Sequence, residues 1–225
     1  MRVATYNVHG FVGRDRRRDP GRIARVVEQL DCEVVGLQEV DCSGAARALA
    51  ELERVTGMRA VSGFTMVSKR GDYGNVVLAA REVVAVDRYD ISLDGCAPRG
   101  VLAVEVLSER FGIVQVLVTH LGLRRGERRR QARELGRIIG ARNPERPLVL
   151  AGDLNEWWPS AEPLRRLGAV LQSPAAPASF PAWRPLLALD RILARPPLGL
   201  RGVAAHRSPL ARVASDHLPV AATLA

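Results

Sequence analysis

The first part of the chain alternates apolar runs with an amphipathic stretch, a pattern that predicts a β-α-β unit. Between Pro20 and Leu30 the apolar residues recur at helical spacing, and proline is favoured in the first turn of a helix. The run EVVGLQEV predicts a buried strand that ends in polar Gln38 and Glu39. The predicted elements are a strand over 2–6, a helix over 20–30, a strand over 33–40 and a helix over 43–55 with Ser43 as its N-cap.

From residue 75 the pattern changes to four short apolar runs separated by Arg, Asp, Gly and Pro. Their hairpin-length connections predict antiparallel pairing of successive strands. The runs are NVVLAA (75–80), EVVAVDRY (82–89), VLAVEVL (101–107) and FGIVQVLVTH (111–120). The remaining predicted elements are a helix over 126–141, a strand over 147–152, a proline-rich irregular region over 159–185, and strands near 189–194, 200–205 and 218–224.

These elements predict an α/β fold in which two mixed sheets pack face to face with helices outside. Several runs are apolar on both faces, which requires that both faces of a strand are covered. The chain of 225 residues has no internal repeat and no linker, so we expect a single domain over 1–225.

Composition narrows the class of protein. Hydrophobic residues make up 47% and charged residues 25% of the chain, as in ordinary soluble globular proteins. No signal peptide and no apolar run of about 18 residues is present, so we expect a soluble, cytoplasmic protein. The three cysteines have neither zinc-ligand spacing nor CxxC pairs, which favours reduced structural thiols.

The formal net charge of +9 suggests a polyanionic partner, but it is weak evidence for one. Lys69 is the only lysine, so the positive charge is almost entirely arginine, which a GC-rich coding bias also produces. Charge alone therefore does not establish nucleic-acid binding.

Polar side chains occur at the ends of the predicted strands. Strand ends gathered at one edge of a sandwich form a cleft, and unpaired polar groups there would be costly. Three acidic groups close together would repel each other without a cation, and carboxylate and amide oxygens suit Mg²⁺ or Mn²⁺. The residues concerned are Asn7, Glu39, His120, Asp153, Asn155, Asp216 and His217.

Eight segments in order resemble the endonuclease/exonuclease/phosphatase superfamily, whose members share the DNase I-like fold. They are TYNVHG (5–10), LQEV (37–40), YGNVVLA (73–79), PRG (98–100), VTHLGL (118–123), GDLN (152–155), LDRIL (189–193) and SDHLPV (215–220). The resemblance implies a four-layer sandwich of two mixed sheets flanked by helices. It also implies a metal-dependent hydrolase of phosphate esters, with Mg²⁺, or Mn²⁺ in its place, as cofactor.

The resemblance also assigns roles to residues. Glu39 is the expected principal metal ligand, with Asn7 beside it and Asp216 serving the ion directly or through water. Asp153 is expected to orient or deprotonate the attacking water, and Asp190 to hydrogen-bond the essential His217.

Further residues are expected to contact the substrate. Asn155 is expected to hold a phosphate oxygen, as are Arg99 and Asn75, and His120 to lie near the phosphate or the leaving group. A histidine at 120 is similar to the DNase I-like and sphingomyelinase-like branches, whereas the abasic-site nucleases typically have asparagine there.

The function expected from these residues is that of a phosphodiesterase, with nucleic acid or a phospholipid headgroup as candidate substrate and a monomeric enzyme. One alternative is a phosphomonoesterase acting on a small phosphorylated metabolite. Another, of a different class, is a catalytically inactive binding module on the same fold.

Two surface features leave alternatives open. The arginines between Arg124 and Arg137 could bind a polyphosphate backbone, but interleaved glutamates favour a solvated helix face. Trp157 and Trp158 could stack on a base, contact a lipid, or pack beneath the rim of the cleft.

Overall fold

The computed structural model describes residues 1–42, 45–68 and 71–225. Its strands are β1 (Arg2–Asn7), β2 (Val34–Cys42), β3 (Arg59–Ser68), β4 (Gly71–Ala79), β5 (Val83–Asp90), β6 (Gly100–Ser108), β7 (Gly112–His120), β8 (Leu148–Asp153), β9 (Asp190–Ala194), β10 (Leu200–Ala205) and β11 (Val220–Leu224). Its helices are α1 (Pro20–Leu30), α2 (Ala45–Thr56), α3 (Arg125–Ala141), α4 (Glu162–Gly168) and α5 (Ala211–Ala214), and a short 3₁₀ turn covers His9–Phe11.

Helix α1 forms where the apolar spacing predicted it. The Asp19 side chain caps it by accepting a hydrogen bond of 2.9 Å from Arg22 N, and Pro20 lies in the first turn. The helix ends at Asp31, which adopts the left-handed conformation. Helix α2 also forms as predicted, but Ser43, its expected N-cap, lies outside the described residues.

The strands form two mixed sheets. One has six strands in the order β10-β11-β1-β2-β4-β3, and the other has five in the order β5-β6-β7-β8-β9. The pairs β1–β2 and β7–β8 are parallel, whereas the other pairs are antiparallel. Each sheet therefore has one parallel pair near its middle.

Three apolar clusters separate four layers, which confirms the predicted fold class. One cluster packs α1 and α2 against the outer face of the six-stranded sheet, and another packs α3 and α4 against the outer face of the five-stranded sheet. The third fills the space between the sheets, with residues such as Val34, Val116 and Val220. Both faces of each sheet are thus covered.

The pairing of the middle strands was predicted only in part. Strands β5, β6 and β7 form the expected antiparallel series, but β4 pairs with β2 and β3 in the other sheet. The prediction missed β3, whose apolar residues are interrupted by Ser62 and Gly63. A Cβ on Gly63 would lie 2.8 Å from Leu102 Cβ, so the close approach of the two sheets requires glycine there.

The region over 159–185 is less irregular than predicted, because it contains α4. Pro163 lies in the first turn of this helix, where proline costs no hydrogen bond. The closing strands β9, β10 and β11 confirm the last three predicted runs. In the described ranges, no helix combines the length and the apolar character needed to cross a membrane.

Candidate active site

The polar strand ends converge because of the two parallel pairs. In the six-stranded sheet Asn7 pairs with Gln38, and in the five-stranded sheet His120 pairs with Asp153. Packing of the sheets brings these carboxyl ends together, and Asn7 Nδ2 donates to Asp153 Oδ2 at 3.0 Å. The cleft is thus built half from each sheet.

Asn7 holds one acidic residue from each sheet. Its Nδ2 donates to Glu39 Oε1 at 3.1 Å as well as to Asp153. Its Oδ1 accepts a hydrogen bond of 3.1 Å from the backbone N–H of His9. Because ionised carboxylates only accept hydrogen bonds, this orientation of the amide is the one that the network requires.

Glu39 owes its position to a β-bulge. The register between β2 and β4 shifts between Leu37 and Val40, and Glu39 has a φ of 55°, a left-handed conformation that is unfavourable for glutamate. Such backbone costs about 1–3 kcal/mol and is concentrated at functional sites. The bulge directs the carboxylate to the cleft, where 23% of its side chain is exposed.

The charge on Glu39 is supported by its neighbours. Burial opposes that charge, but His120 and the hydrogen bonds from Asn7 and Tyr73 lower the pKa of the Glu39 carboxyl below its ordinary value. Burial and the neighbouring Glu39 in turn raise the pKa of the Tyr73 hydroxyl. Glu39 is therefore ionised and Tyr73 is a neutral donor to it at neutral pH.

Asp153 lies at the centre of the cleft with almost no exposed surface. Its Oδ1 accepts a hydrogen bond of 2.9 Å from Asn155 N. Its Oδ2 lies 3.6 Å from His120 Nε2 and 3.7 Å from His217 Nε2. Burial, together with the charge of Asp190, raises the pKa of the Asp153 carboxyl above its ordinary value.

His217 is held by Asp190. Its Nδ1 lies 2.8 Å from Asp190 Oδ2, which also accepts a hydrogen bond from Ser179 Oγ. Burial alone would lower the pKa of His217, but the charge and hydrogen bond of Asp190 raise it to about 10. The ring is therefore an imidazolium whose Nε2 faces Asp153, and Phe180 packs against it with ring centroids 4.9 Å apart.

His120 has the opposite protonation state. Its Nε2 lies 3.0 Å from Asn155 Nδ2, which also donates to Leu121 O at 2.8 Å. Since Asn155 Nδ2 is a donor, His120 Nε2 accepts, and the proton is on Nδ1, 3.9 Å from Glu39 Oε1. Burial lowers the pKa of His120, in agreement with a neutral ring.

The other predicted site residues surround this centre. Asp216 is partly exposed, accepts a hydrogen bond of 3.3 Å from Ser215 Oγ, and lies 3.9 Å from His9 Nδ1. The Arg99 side chain is half-buried, and its charge contributes to lowering the pKa of His120. Asn75 is buried and donates to Gly100 O at 2.9 Å, so it fixes the backbone next to Arg99.

The donor set fits a hard divalent cation. In the part of the chain that the structure describes, carboxylate oxygens of Asp153 and Asp190 and a ring nitrogen of His217 lie within 4.8 Å of one another, and the carboxylates supply the lone pairs because the imidazolium has none to offer. Glu39 adds a carboxylate that faces the cleft. Three carboxylates (Glu39, Asp153 and Asp190) accompany a single imidazolium. Burial and the charge of Asp190 raise the pKa of Asp153, and a cation would stabilise the ionised carboxylates.

The structure decides part of the alternatives left open for Trp157, Trp158 and the arginines between Arg124 and Arg137. Trp157 and Trp158 are 50% and 63% exposed, so they are not packed beneath the rim. Arg128 is buried in an ion pair of 3.1 Å with Glu156, and Arg137 pairs with Glu134 at 2.9 Å. At least two arginines of the basic cluster are therefore neutralised by glutamates of the same chain.

Three contributors to the site were not assigned from the sequence. Tyr73 lies in the quoted segment YGNVVLA, and its position beside a predicted strand could have suggested a polar role. Ser179 and Phe180 lie in the region predicted as irregular, where no periodicity or motif marks them.

Comparison with known proteins identifies the family. The sequence profile described as the Endonuclease/Exonuclease/phosphatase family matches residues 4–217, so the chain belongs to this family. It is 29% identical over 245 residues to the uncharacterized protein YbhP of Escherichia coli K12, covering 100% of this chain and 96% of YbhP.

Solved structures agree with this assignment. An endonuclease/exonuclease/phosphatase from Beutenbergia cavernae is 27% identical with a TM-score of 0.80, covering 100% of this chain and 71% of that one. The mannosyl-6-phosphatase Bt3783 of Bacteroides thetaiotaomicron is 18% identical (TM-score 0.79, 100% and 99% covered). TDP2 of D. rerio, complexed with a single-strand DNA product, is also 18% identical (TM-score 0.78, 100% and 98% covered).

Proposed function

We propose that this protein is a divalent-metal-dependent phosphodiesterase that cleaves its substrate by in-line attack of water. The observation that carries the proposal is the position of Asp153 Oδ2, 3.6 Å from Nε2 of neutral His120 and 3.7 Å from Nε2 of charged His217. Members of the family hydrolyse phosphate esters and generally depend on a divalent metal. We also propose that residues 1–225 act as one domain.

The phosphate ester is anionic, so the site must offset its charge and aim a water molecule at phosphorus. We assign Mg²⁺, or Mn²⁺ in its place, to the side of Glu39, with Asn7 and Asp216 as the other predicted ligands. Asn7 would ligate through Oδ1, so its amide would have to turn from the hydrogen bonds that it makes with Glu39 and Asp153. Asp190 and His217 are both buried and hydrogen-bonded to each other, whereas 23% of the Glu39 side chain is exposed, which favours Glu39 as the principal ligand. The ion would supply Lewis-acid stabilisation of the phosphate oxygens.

The protonation state of each remaining residue determines its proposed role. Asp153 has a raised pKa, so it accepts a proton from the attacking water more readily than an ordinary carboxylate. His217 presents a positively charged Nε2–H to the developing negative charge, and Asp190 maintains its tautomer. Asn155 can exchange its bond to His120 for one to a phosphate oxygen, and Arg99 and Asn75 complete the predicted phosphate contacts.

A phosphomonoesterase is the second candidate, supported by the fold shared with a mannosyl-6-phosphatase. The fold shared with TDP2, crystallised with a DNA product, supports hydrolysis of a phosphodiester. The histidine at 120 resembles the DNase I-like and sphingomyelinase-like branches rather than the abasic-site nucleases. Cytoplasmic location and a monomeric state stay predictions.

The deciding experiment compares bis(p-nitrophenyl) phosphate with p-nitrophenyl phosphate. We expect hydrolysis of the diester to require Mg²⁺ or Mn²⁺ and to stop in EDTA. Glu39→Gln should raise the metal concentration needed for half-maximal rate, whereas Asp87→Asn, which removes a carboxylate remote from the cleft, should not. Faster cleavage of the monoester would favour the second candidate, and turnover in EDTA would contradict the proposal.

A further inference from the structure

A second cavity adjoins the catalytic cleft on the side of Asp216. It has a volume of about 340 Å³, and its wall includes Phe180, Asp216 and three arginines, Arg14, Arg16 and Arg212. Phe180 also packs against His217, and Ala182 N donates to Asp216 O at 2.7 Å. The wall of this cavity is therefore continuous with the proposed reaction centre.

The three arginines of this cavity form no ion pair with any carboxylate in the ranges 1–42, 45–68 and 71–225. Their neighbours behave differently, since Arg22 pairs with Asp15 at 2.8 Å and Arg18 lies 3.8 Å from Asp41. Asp216, the acidic member of the wall, is a predicted metal ligand. The cavity is thus a concentration of uncompensated positive charge beside a site for phosphate esters.

The loop that carries Arg14 and Arg16 is rigidly built. Arg22 binds Asp15 through both terminal nitrogens and also donates to Arg17 O at 2.9 Å. The Arg22 guanidinium lowers the pKa of the Asp15 carboxyl to about 2. A Cβ on Gly13 would lie 2.6 Å from Val213 O, so the turn closes against α5 only with glycine.

Backbone hydrogen bonds fix the two arginines on this loop. Arg14 N donates to Val213 O at 3.0 Å, and Arg16 N donates to Gly13 O at 2.8 Å. Arg16 is held in the left-handed conformation with a φ of 62°. Two neighbouring guanidinium groups are thereby presented at the cavity without a large loss of backbone freedom on binding.

Trp183 forms the apolar part of the wall. The residue is 52% exposed, and Arg14 Cζ lies 5.4 Å from its ring centroid. Arg212 Nη1 donates to Trp183 O at 3.2 Å. Arg14 thus packs on the indole and Arg212 binds the backbone of the same residue, next to space that an organic group attached to a phosphate could fill.

We propose that this cavity is a subsite for a second phosphate group of the substrate, bound by Arg14, Arg16 and Arg212 while the scissile phosphate occupies the cleft. Guanidinium groups bind phosphate through charge-assisted hydrogen bonds, often in pairs. The proposal rests on the proposed function of the cleft, and it defines the preferred substrate class as phosphodiesters that carry a further phosphate.

The kinetic test uses thymidine 5′-(p-nitrophenyl phosphate) and the same compound with a 3′-phosphate. We expect the 3′-phosphate to lower KM about tenfold, the effect of one charge-assisted hydrogen bond. In the triple variant Arg14→Gln, Arg16→Asn, Arg212→Gln this difference should disappear, while hydrolysis of bis(p-nitrophenyl) phosphate should stay unchanged. Asparagine is used at 16 because it tolerates a positive φ.

The matched control removes the same charge far from the cleft, through Arg59→Gln, Arg110→Gln and Arg201→Gln. Arg59 pairs with Ala79 and Arg201 with Thr223, at the strand ends opposite the cleft. This control should keep the tenfold preference. Loss of the preference in both triple variants would overturn the subsite in favour of a general effect of net charge.

A binding measurement separates the subsite from catalysis. The sequence has three tryptophans, so the double variant Trp157→Phe, Trp158→Phe retains Trp183 as its single tryptophan. Its emission is titrated with thymidine 3′,5′-bisphosphate and with thymidine 5′-monophosphate. Tighter binding of the bisphosphate, abolished by the arginine substitutions, supports the subsite.

The two measurements distinguish the two proposals. If no ester is hydrolysed but Trp183 reports the arginine-dependent preference, the proposed function fails and the anion subsite stands. If diesters are hydrolysed with equal KM with and without the 3′-phosphate, the proposed function stands and the subsite is overturned. A preference that survives in the Arg14, Arg16 and Arg212 variant also overturns it.

Discussion

The cleft differs in its charge balance from a second cluster of charged side chains, which lies on the outer face of the five-stranded sheet at the end away from the cleft. The second, here called the Arg142 network, is balanced. Arg142 contacts Glu105 Oε1 and Gln115 Oε1, both at 3.1 Å, and Tyr89 OH at 3.2 Å. Arg142 also pairs with Asp87, and Arg146 pairs with Glu105. Two guanidinium groups thus meet two carboxylates.

The cleft lacks this balance. Glu39, Asp153 and Asp190 are gathered around one charged and one neutral imidazole, and Asp190 Oδ1 finds no hydrogen-bond partner among the described residues. Burial raises the pKa of Asp153, and Asp190 raises the pKa of His217 to about 10 against the opposing effect of burial. Glu39 is further held in an unfavourable backbone conformation.

The comparison separates a stabilising cluster from a functional one. The Arg142 network satisfies its own groups, so its removal should cost stability and leave activity unchanged. The cleft is left unsatisfied, so its groups are available to a cation, a water and a phosphate. Proteins commonly tolerate such destabilised groups only where activity requires them.

The largest expected effect comes from Asp153→Asn. This change removes the proposed proton acceptor while keeping its shape, so we expect kcat to fall by about 10⁴-fold, the upper end for a positioned base. Because burial already disfavours the charge at 153, the free energy of unfolding should stay within about 1 kcal/mol of the unaltered protein. Diesterase assays and urea unfolding measure the two quantities. Wild-type kcat, or a large loss of stability, would place Asp153 with the structural cluster instead.

The next effect is expected from Asp190→Asn, with a loss of about 10²-fold in kcat because His217 is no longer held as an imidazolium. A raised pKa in the folded state means that protonated His217 stabilises the fold below pH 6.5, and that this contribution is lost as pH rises through about 10. The variant should therefore be less stable than the original protein at pH 6, with a difference that narrows toward pH 10. Urea unfolding at several pH values measures it, and a difference independent of pH would contradict the assignment of this ion pair.

Much of this arrangement was predictable because local pattern and order along the chain agree. Strand β8 is a short apolar run that delivers Asp153 and then Asn155, and such a run followed by polar residues predicts a strand end at a cleft. The assembly of Asn7, Glu39 and Asp153 follows from the two parallel pairs that the β-α-β pattern and the family resemblance imply.

The parts that were missed depend on contacts between distant segments. Strand β4 has a short connection to β5 but joins the other sheet, because β2 and β3 supply both of its partners. Ser179 and Phe180 acquire their roles only when the loop that contains them packs against Asp190 and His217. The bulge at Glu39 also has no signal in a sequence of strand-forming residues.

The smallest effect is expected from Arg142→Gln, which disrupts the Arg142 network. The substitution leaves Gln115 without its guanidinium partner and Glu105 with only Arg146, in a largely buried setting, and we expect a loss of about 2 kcal/mol in the free energy of unfolding. Diesterase activity should not change, because the network lies away from the cleft. Arg137→Gln is the matched control, since Arg137 forms an exposed pair with Glu134 and its loss should cost no more than about 0.5 kcal/mol. Equal stability of the two variants would mean that the Arg142 network contributes no more than an ordinary surface pair. A fall in diesterase activity in Arg142→Gln would mean that the cleft depends on the Arg142 network.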